Sequence, residues 1–190
     1  MNFDMGAITP SLGFLMQGLR YSVQLTLVAT AVGIGFGTLL ALARLSPLRW
    51  LNLAAAGYVN LFRSVPLVLV IFWFYLLVPL LMGVQVGAER SAYLTFAIFE
   101  SAYFCEIIRA GIQSIGRGQV SAGLAMGFTY GQNMRYVILP QAFRNVVPLL
   151  LMQVIILFQD TSLVYVVGAT DLLGAASKVA NRDNSLVEMY

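Results

Sequence analysis

Residues 117–140 read RGQVSAGLAMGFTYGQNMRYVILP. Ser121 to Met126 are small and apolar and run into Gly127, a residue that commonly ends helices. Gly131 to Leu139 predicts a second helical stretch that stops before Pro140. The segment therefore reads as two short helices joined at a glycine corner. Its apolar side chains Leu124, Met126 and Phe128 need a covering surface, because a lone helix this short is marginal in water. The groove of a soluble protein supplies such a surface. So does a lipid headgroup layer beneath an amphipathic hairpin. On physical grounds alone both readings stay open.

The flanks place this segment beside a membrane. Downstream, Asn145 to Thr170 is a 26-residue apolar run interrupted only by Asp160. Upstream, Ser91 to Ile108 forms an apolar run carrying Glu100 and Glu106. Before it, Ser64 to Ala88 gives 25 uncharged residues rich in aromatics, with Pro79 marking a far end or a kink. Tyr21 to Ala43 gives 23 more, with Gly33, Gly35 and Gly37 making a small-residue face on which another helix can pack. A hydrocarbon core of roughly 30 Å takes about 20 helical residues. The expected spans are therefore about 21–43, 64–86, 91–109 and 142–165, with a loop at about 110–141, all in one domain over 1–190.

Composition agrees. Of 190 residues, 59% are hydrophobic and 10% charged, with a mean hydropathy of +0.83. Soluble domains have about 45–50% apolar and about 25% charged residues. Too few charges are present to coat a soluble surface, which predicts an all-α integral membrane protein with no sizeable domain outside the bilayer. There is no histidine, and Cys105 is the single cysteine. Zinc sites, Cys/His nucleophiles and disulfide scaffolds are excluded on that count. The scattered arginines form no stripe for nucleic acid. Met1 to Gln17 carry Asp4 and no lysine or arginine, unlike the start of a cleaved signal peptide.

Charge placement gives orientation. Arg44, Arg49, Arg63, Arg109, Arg117, Arg135 and Arg144 fall on one side, seven against four (Arg20, Arg90, Lys178 and Arg182) on the other. The positive-inside rule puts the larger set, and with it the 110–141 loop, in the cytoplasm. The N-terminus is then outside. Three acidic groups remain inside apolar runs, where a charge costs about 2.5–3.5 kcal/mol on insertion scales. Glu106 precedes Arg109 by three residues, a spacing that predicts a structural pair. Glu100 and Asp160 have no local partner in sequence. Each either lines a polar translocation path or hydrogen-bonds within the helix bundle. For Asp160 the adjoining Thr161 and Ser162 favour a polar cavity.

The 117–140 segment resembles the EAA coupling motif of ATP-binding-cassette (ABC) importer permeases: E-A-A, three residues, Gly, nine residues, I-x-L-P. Here it stands as Ser121-Ala122-Gly123, Gly127 and Val137-Ile138-Leu139-Pro140, with the spacing kept. The departures are Ser for the first Glu, Gly for the second Ala and Val for Ile. AYFCEIIRAGIQSIGRGQ (102–119), LPQAFR (139–144) and QDTSL (159–163) resemble the polar amino-acid permeases of the histidine/glutamine/glutamate group. FRSVPLVLVIFWFYLLVP (62–79) is most similar to the glutamate/aspartate members of that group.

The resemblance implies a type I (MetI-like) permease fold in the bacterial inner membrane and import of polar amino acids, with glutamate or aspartate expected. It implies a second permease subunit, homologous or identical, an ABC ATPase dimer below the pair, and a periplasmic amino-acid-binding protein. Ser121, Ala122, Gly123, Leu124, Met126 and Gly127 would enter the ATPase groove, framed by Leu139 and Pro140. Glu100, Asp160, Thr161 and Ser162 would line the path. The chain carries no Gly-x-x-x-x-Gly-Lys phosphate loop, so ATP-Mg is expected on the ATPase and no cofactor on this chain. The family also has a fifth span after the stretch matching 171–190, so a shortened chain with four spans is expected. The rival reading is a proton-coupled secondary transporter of small polar solutes, with Glu100 and Asp160 as proton carriers. A membrane enzyme has little chemistry to draw on here.

Overall fold

A computed structural model describes residues 9–183 and Met189, and all regular structure among these residues is helical. After a 3₁₀ turn at Thr9–Ser11, α1 runs over Leu12–Arg44, 33 residues or about 50 Å. It starts before the expected 21–43 because Arg20 lies on the helix surface without ending it. The chain then turns through Pro47 into α2, Arg49–Ser64. The expected spans leave this stretch unassigned, between 43 and 64. It is a helix because Ala55, Tyr58, Val59 and Phe62 repeat at helical spacing and bury one face, leaving Trp50, Leu53 and Leu61 exposed.

Val65 is extended, as the residue before Pro66 must be. Helix then resumes as α3 (Leu67–Phe72), widens to a π-helical turn at Trp73–Leu77 and closes as α4 (Val78–Met82). The uncharged run 64–86 is thus helical only over 67–82, about 24 Å, short of a hydrocarbon core by itself. The next helix, α5, spans Ala88–Gln113, with Glu89 in the first turn facing the positive end of the helix dipole. The short helix α6 (Arg117–Ala125) follows, then α7 (Tyr130–Asn133), a π-helical turn at Met134–Ile138, and α8 (Leu139–Asp160). A 3₁₀ segment, Thr161–Val167, continues it, and α9 covers Leu172–Asp183.

The second helix of the 117–140 segment does not stop before Pro140, which is a correction to the sequence reading. Tyr130 to Val167 form one continuous 38-residue helical rod. Proline lacks an N–H and its ring crowds the carbonyl four residues back, Tyr75 for Pro79 and Tyr136 for Pro140. Each of these residues sits in the middle of a π-helical turn. Widening the helix there admits the ring, so the 67–82 helix continues past Pro79 and the rod past Pro140. Among the described residues three helices are long and apolar enough to cross a membrane: 9–44, 88–113 and 130–167. A fourth candidate is 49–64 with 67–82, interrupted at Val65.

The chain forms two compact units. The first comprises 1–30, 66–97 and 156–190, and its buried residues include Leu25, Val70, Ile71, Phe96, Leu157, Val164 and Val179. There Gly18 lies so close to α9 that a Cβ would stand 2.6 Å from the Asp171 carbonyl oxygen. The second comprises 31–65 and 98–155, with Ala41, Val59, Phe104, Ile108, Ile138 and Ala142 in its core. In it, Gly33 and Gly37 abut Phe104 and the 101–105 backbone, whereas Gly35 meets nothing within 4 Å. Two of the three glycines thus form the close helix contact.

Candidate functional site

The second unit carries the 117–129 protrusion. In α6 every residue is exposed except Val120, half-buried, and Gly123, buried. Leu124 is 53% and Met126 75% exposed, an apolar face left uncovered among the described residues. The corner is rigid for local reasons. Gly127 takes φ +83°, a left-handed conformation that costs other residues about 1–2 kcal/mol. With it, the Phe128 N–H donates to the Gly123 carbonyl at 3.1 Å and the Gly127 N–H to the Leu124 carbonyl at 3.0 Å, closing α6 in a Schellman motif. Thr129 then starts α7 with a capping box: its hydroxyl accepts from the Gln132 N–H, and its own N–H donates to Oε1 of Gln132 at 2.9 Å.

Beneath α6 lies Asn133, 1% exposed, whose Nδ2 donates to the Val120 carbonyl at 2.9 Å. A Cβ on residue 123 would lie 2.6 Å from Asn133 Cγ. The glycine that departs from the EAA pattern is therefore the residue that makes room for this asparagine. Leu139 and Pro140, grouped with the motif by sequence, belong instead to the long rod. Leu139 packs against the core of the unit and Pro140 is exposed. The predicted set thus separates into an exposed helix with its corner, 121–127, and a pair embedded in the following helix.

Glu106 is more than the local pair its spacing predicted. Arg109 donates through Nη2 to Oε2 at 2.7 Å and through Nε to Oε1 at 3.1 Å. Arg44, the last residue of α1, also donates to Oε1, and Arg63 of α2 stands 3.7 Å from Oε2. One carboxylate thus holds α1, α2 and α5 together in the second unit.

Glu100 and the Asp160 group belong to different units. Glu100 is 1% exposed and its Oε2 accepts from Gln153 Nε2 at 2.9 Å. Asp160 ends α8, and Thr161 and Ser162 open the 3₁₀ segment, where their hydroxyls donate to the Phe158 and Gln159 carbonyls at 2.7 and 2.9 Å. Those bonds occupy carbonyls that the change of helix type leaves without an α-helical partner. Thr161 and Ser162 line a cavity of about 280 Å³ together with Ser22, Gln159 and Asp171, and Asp160 is not among its lining residues.

With this geometry in view, the comparisons with known proteins become specific. Residues 33–185 match the family described as "Binding-protein-dependent transport system inner membrane component". The chain belongs to this family. A glutamate/aspartate import permease of Escherichia coli O157:H7 is 51% identical over 98% of this chain and 87% of that protein. The arginine transport permease of Bacillus subtilis is 35% identical over 93% and 80%. A crystal structure of an amino acid ABC transporter with histidines aligns at a TM-score of 0.90 and 31% identity, covering 100% of this chain and 88% of that one. The methionine ABC transporter in inward-facing form aligns at 0.74 and 23%, covering 94% and 88%, which speaks to the fold alone. The chain is thus an ABC importer permease of the polar amino-acid group with a MetI-like fold.

Several residues that shape this permease's polar sites lie outside the sequence-derived set. Arg44 and Arg63 reach Glu106 from 62 and 43 positions away, with no local spacing to signal it. Asp171 caps α9, its carboxylate accepting the Leu173 and Gly174 N–H groups at 3.0 and 2.9 Å. Its place just before a run of small residues was the available signal.

Proposed function

We propose that this permease carries acidic amino acids, glutamate or aspartate, inward across the bacterial inner membrane as one of two permease subunits of an ATP-driven importer. The observation that carries this reading is the 51% identity to a glutamate/aspartate import permease over 98% of the chain. The substrate arrives on an extracytoplasmic binding protein. ATP-Mg binds to a separate ATPase dimer. In the coupling role, Ser121 to Gly127 seat in a groove of that ATPase, where Leu124 and Met126 lose the exposure they have here. Leu139 and Pro140 frame the motif from the next helix. Spans at about 21–43, 64–86, 91–109 and 142–165 hold the subunit in the bilayer. Glu100, Asp160, Thr161 and Ser162 serve the path, and nucleotide-driven closure of the ATPase rocks the permeases between outward and inward access.

The test is uptake of labelled glutamate, glutamine and arginine by cells that lack their own importers and express this chain with the ATPase, second permease and binding protein of a glutamate/aspartate importer. Glutamate uptake that needs ATP and survives a protonophore supports the reading. Proton-driven uptake without the ATPase favours a secondary transporter and overturns it.

A further inference from the structure

The three guanidiniums around Glu106 outnumber its charge. Arg109 and Arg44 together occupy both carboxylate oxygens at hydrogen-bond range. Arg63 Nη1 is 3.7 Å from Oε2, beyond a normal hydrogen bond, and its side chain is 42% exposed, against 18% for Arg44 and 27% for Arg109. The ring of Tyr103 supports the Arg63 guanidinium from one side, 5.3 Å from its centroid. Tyr103 in turn packs on Phe99 at 5.2 Å. Glu100, the other carboxylate on α5 in this unit, accepts from Gln153. Three cations on one anion repel each other, and the partial burial of Arg44, Arg109 and Glu106 weakens the screening of that repulsion by water. A second anion beside Arg63 would offset that repulsion. Of the three arginines, Arg63 alone stands beyond hydrogen-bond range of Glu106 and is the most exposed, so its guanidinium is the best placed to meet a second anion.

We infer that Arg63, backed by Tyr103, binds the side-chain carboxylate of the transported amino acid and so selects acidic substrates over their amides. This rests on the acidic-substrate reading above. A planar guanidinium offers two parallel donors to a carboxylate but no acceptor for an amide nitrogen, so it discriminates glutamate from glutamine by charge and by geometry. Glu106 and Arg109 hold the site without touching the substrate. The same groups would also donate to the phosphate of a lipid headgroup, so the experiment separates the two sources.

The assay measures binding of labelled glutamate, and its displacement by glutamine, on the permease complex purified in neutral detergent without its binding protein. Wild type, Arg63→Lys and Arg63→Gln are compared, with thermal stability recorded for each. The expected result is a loss of about tenfold or more in glutamate affinity for Arg63→Gln, with glutamine affinity unchanged, while Arg63→Lys stays within a few fold. Unchanged glutamate affinity in Arg63→Gln overturns the inference, as does an equal loss for both ligands. Glutamate binding that appears only when phosphatidylglycerol is added overturns it in favour of a lipid site. A complex that imports glutamate in vesicles yet binds none at the permease overturns it too. Failure of wild-type uptake itself would instead remove the functional reading on which the inference stands.

Discussion

Gly123 offers a test in which the sign of an effect, and not only its size, is at stake. On an isolated helix, glycine to alanine gains about 1 kcal/mol. Here the added methyl would lie 2.6 Å from Asn133 Cγ and 2.9 Å from its Nδ2. Non-bonded carbons rest at about 3.5–4.0 Å, so one partner must move by roughly 1 Å. Asn133 is 1% exposed and tied to the Val120 carbonyl, so it has nowhere to go without losing that bond. Overpacking costs about 1–3 kcal/mol, and the bond itself contributes about 0.5–1.5 kcal/mol. The net expectation for Gly123→Ala is a destabilisation of about 1–2 kcal/mol. In an Asn133→Ala background the space is open, and the same substitution should stabilise by up to about 1 kcal/mol. Thermal unfolding in detergent resolves this, since each kcal/mol moves the midpoint by about 2–4 °C in a chain of this size. Midpoints for the wild type, both single variants and the double variant close a thermodynamic cycle. A rise of the same size in both backgrounds would refute the contact, and with it the explanation of why glycine stands where the family pattern has alanine.

Three further outcomes follow from the same structure. At the Gly127 corner, φ +83° penalises a β-branched residue most, so ATPase co-purification should fall in the order Gly, Asn, Val, with Gly127→Val weakened about tenfold; equal recovery of all three would separate the corner from docking. Glu106→Gln leaves three guanidiniums facing one another and should lower stability by about 2–4 kcal/mol, less than for a fully buried pair because the side chain is 17% exposed; an unchanged unfolding midpoint would refute the clamp. Glu100→Gln keeps an acceptor for Gln153 and should leave the midpoint within about 2 °C, whereas Glu100→Leu strands the Gln153 amide and should cost about 1–3 kcal/mol. Loss of uptake in Glu100→Gln with an intact midpoint would instead assign that carboxylate to the path.

What could be read from sequence divides by distance along the chain. The long apolar helices were legible because hydropathy sums over twenty residues and one misplaced charge barely changes the sum. The 49–64 helix was missed by counting gaps between charges, since Arg49 and Arg63 bracket it; the spacing of Ala55, Tyr58, Val59 and Phe62 held the signal. The Glu106–Arg109 pair was legible at three residues' separation, but nothing local ties Arg44 or Arg63 to it. Pro140 was read as a stop, and locally that is sound. The rod continues because a π-helical turn absorbs the ring, at a position fixed by geometry rather than by a distinctive residue. In the candidate site the departure at Gly123 was visible, while its cause, Asn133, lies across a turn whose closure had to be known first.

That closure bears on how α6 can act. A surface helix of nine residues joined by flexible loops would absorb any force applied to it by moving alone. This one is fixed at several points of the second unit. Asn133 holds the Val120 carbonyl, Gln141 Nε2 reaches Gln119 Oε1 at 3.4 Å, and Asn145 Nδ2 donates to Ser114 at 3.1 Å. The three anchors lie along the 130–167 rod at 133, 141 and 145, and their partners run from just before α6 to its middle. A displacement of α6 must therefore break these contacts or move the rod with it. Asn133 is the buried one of the three, so it is where the two alternatives differ most in free energy. Gly123 matters in this arrangement less for what it touches outside than for letting the rod come this close from within, whereas Ser121 and Ala122 stay exposed.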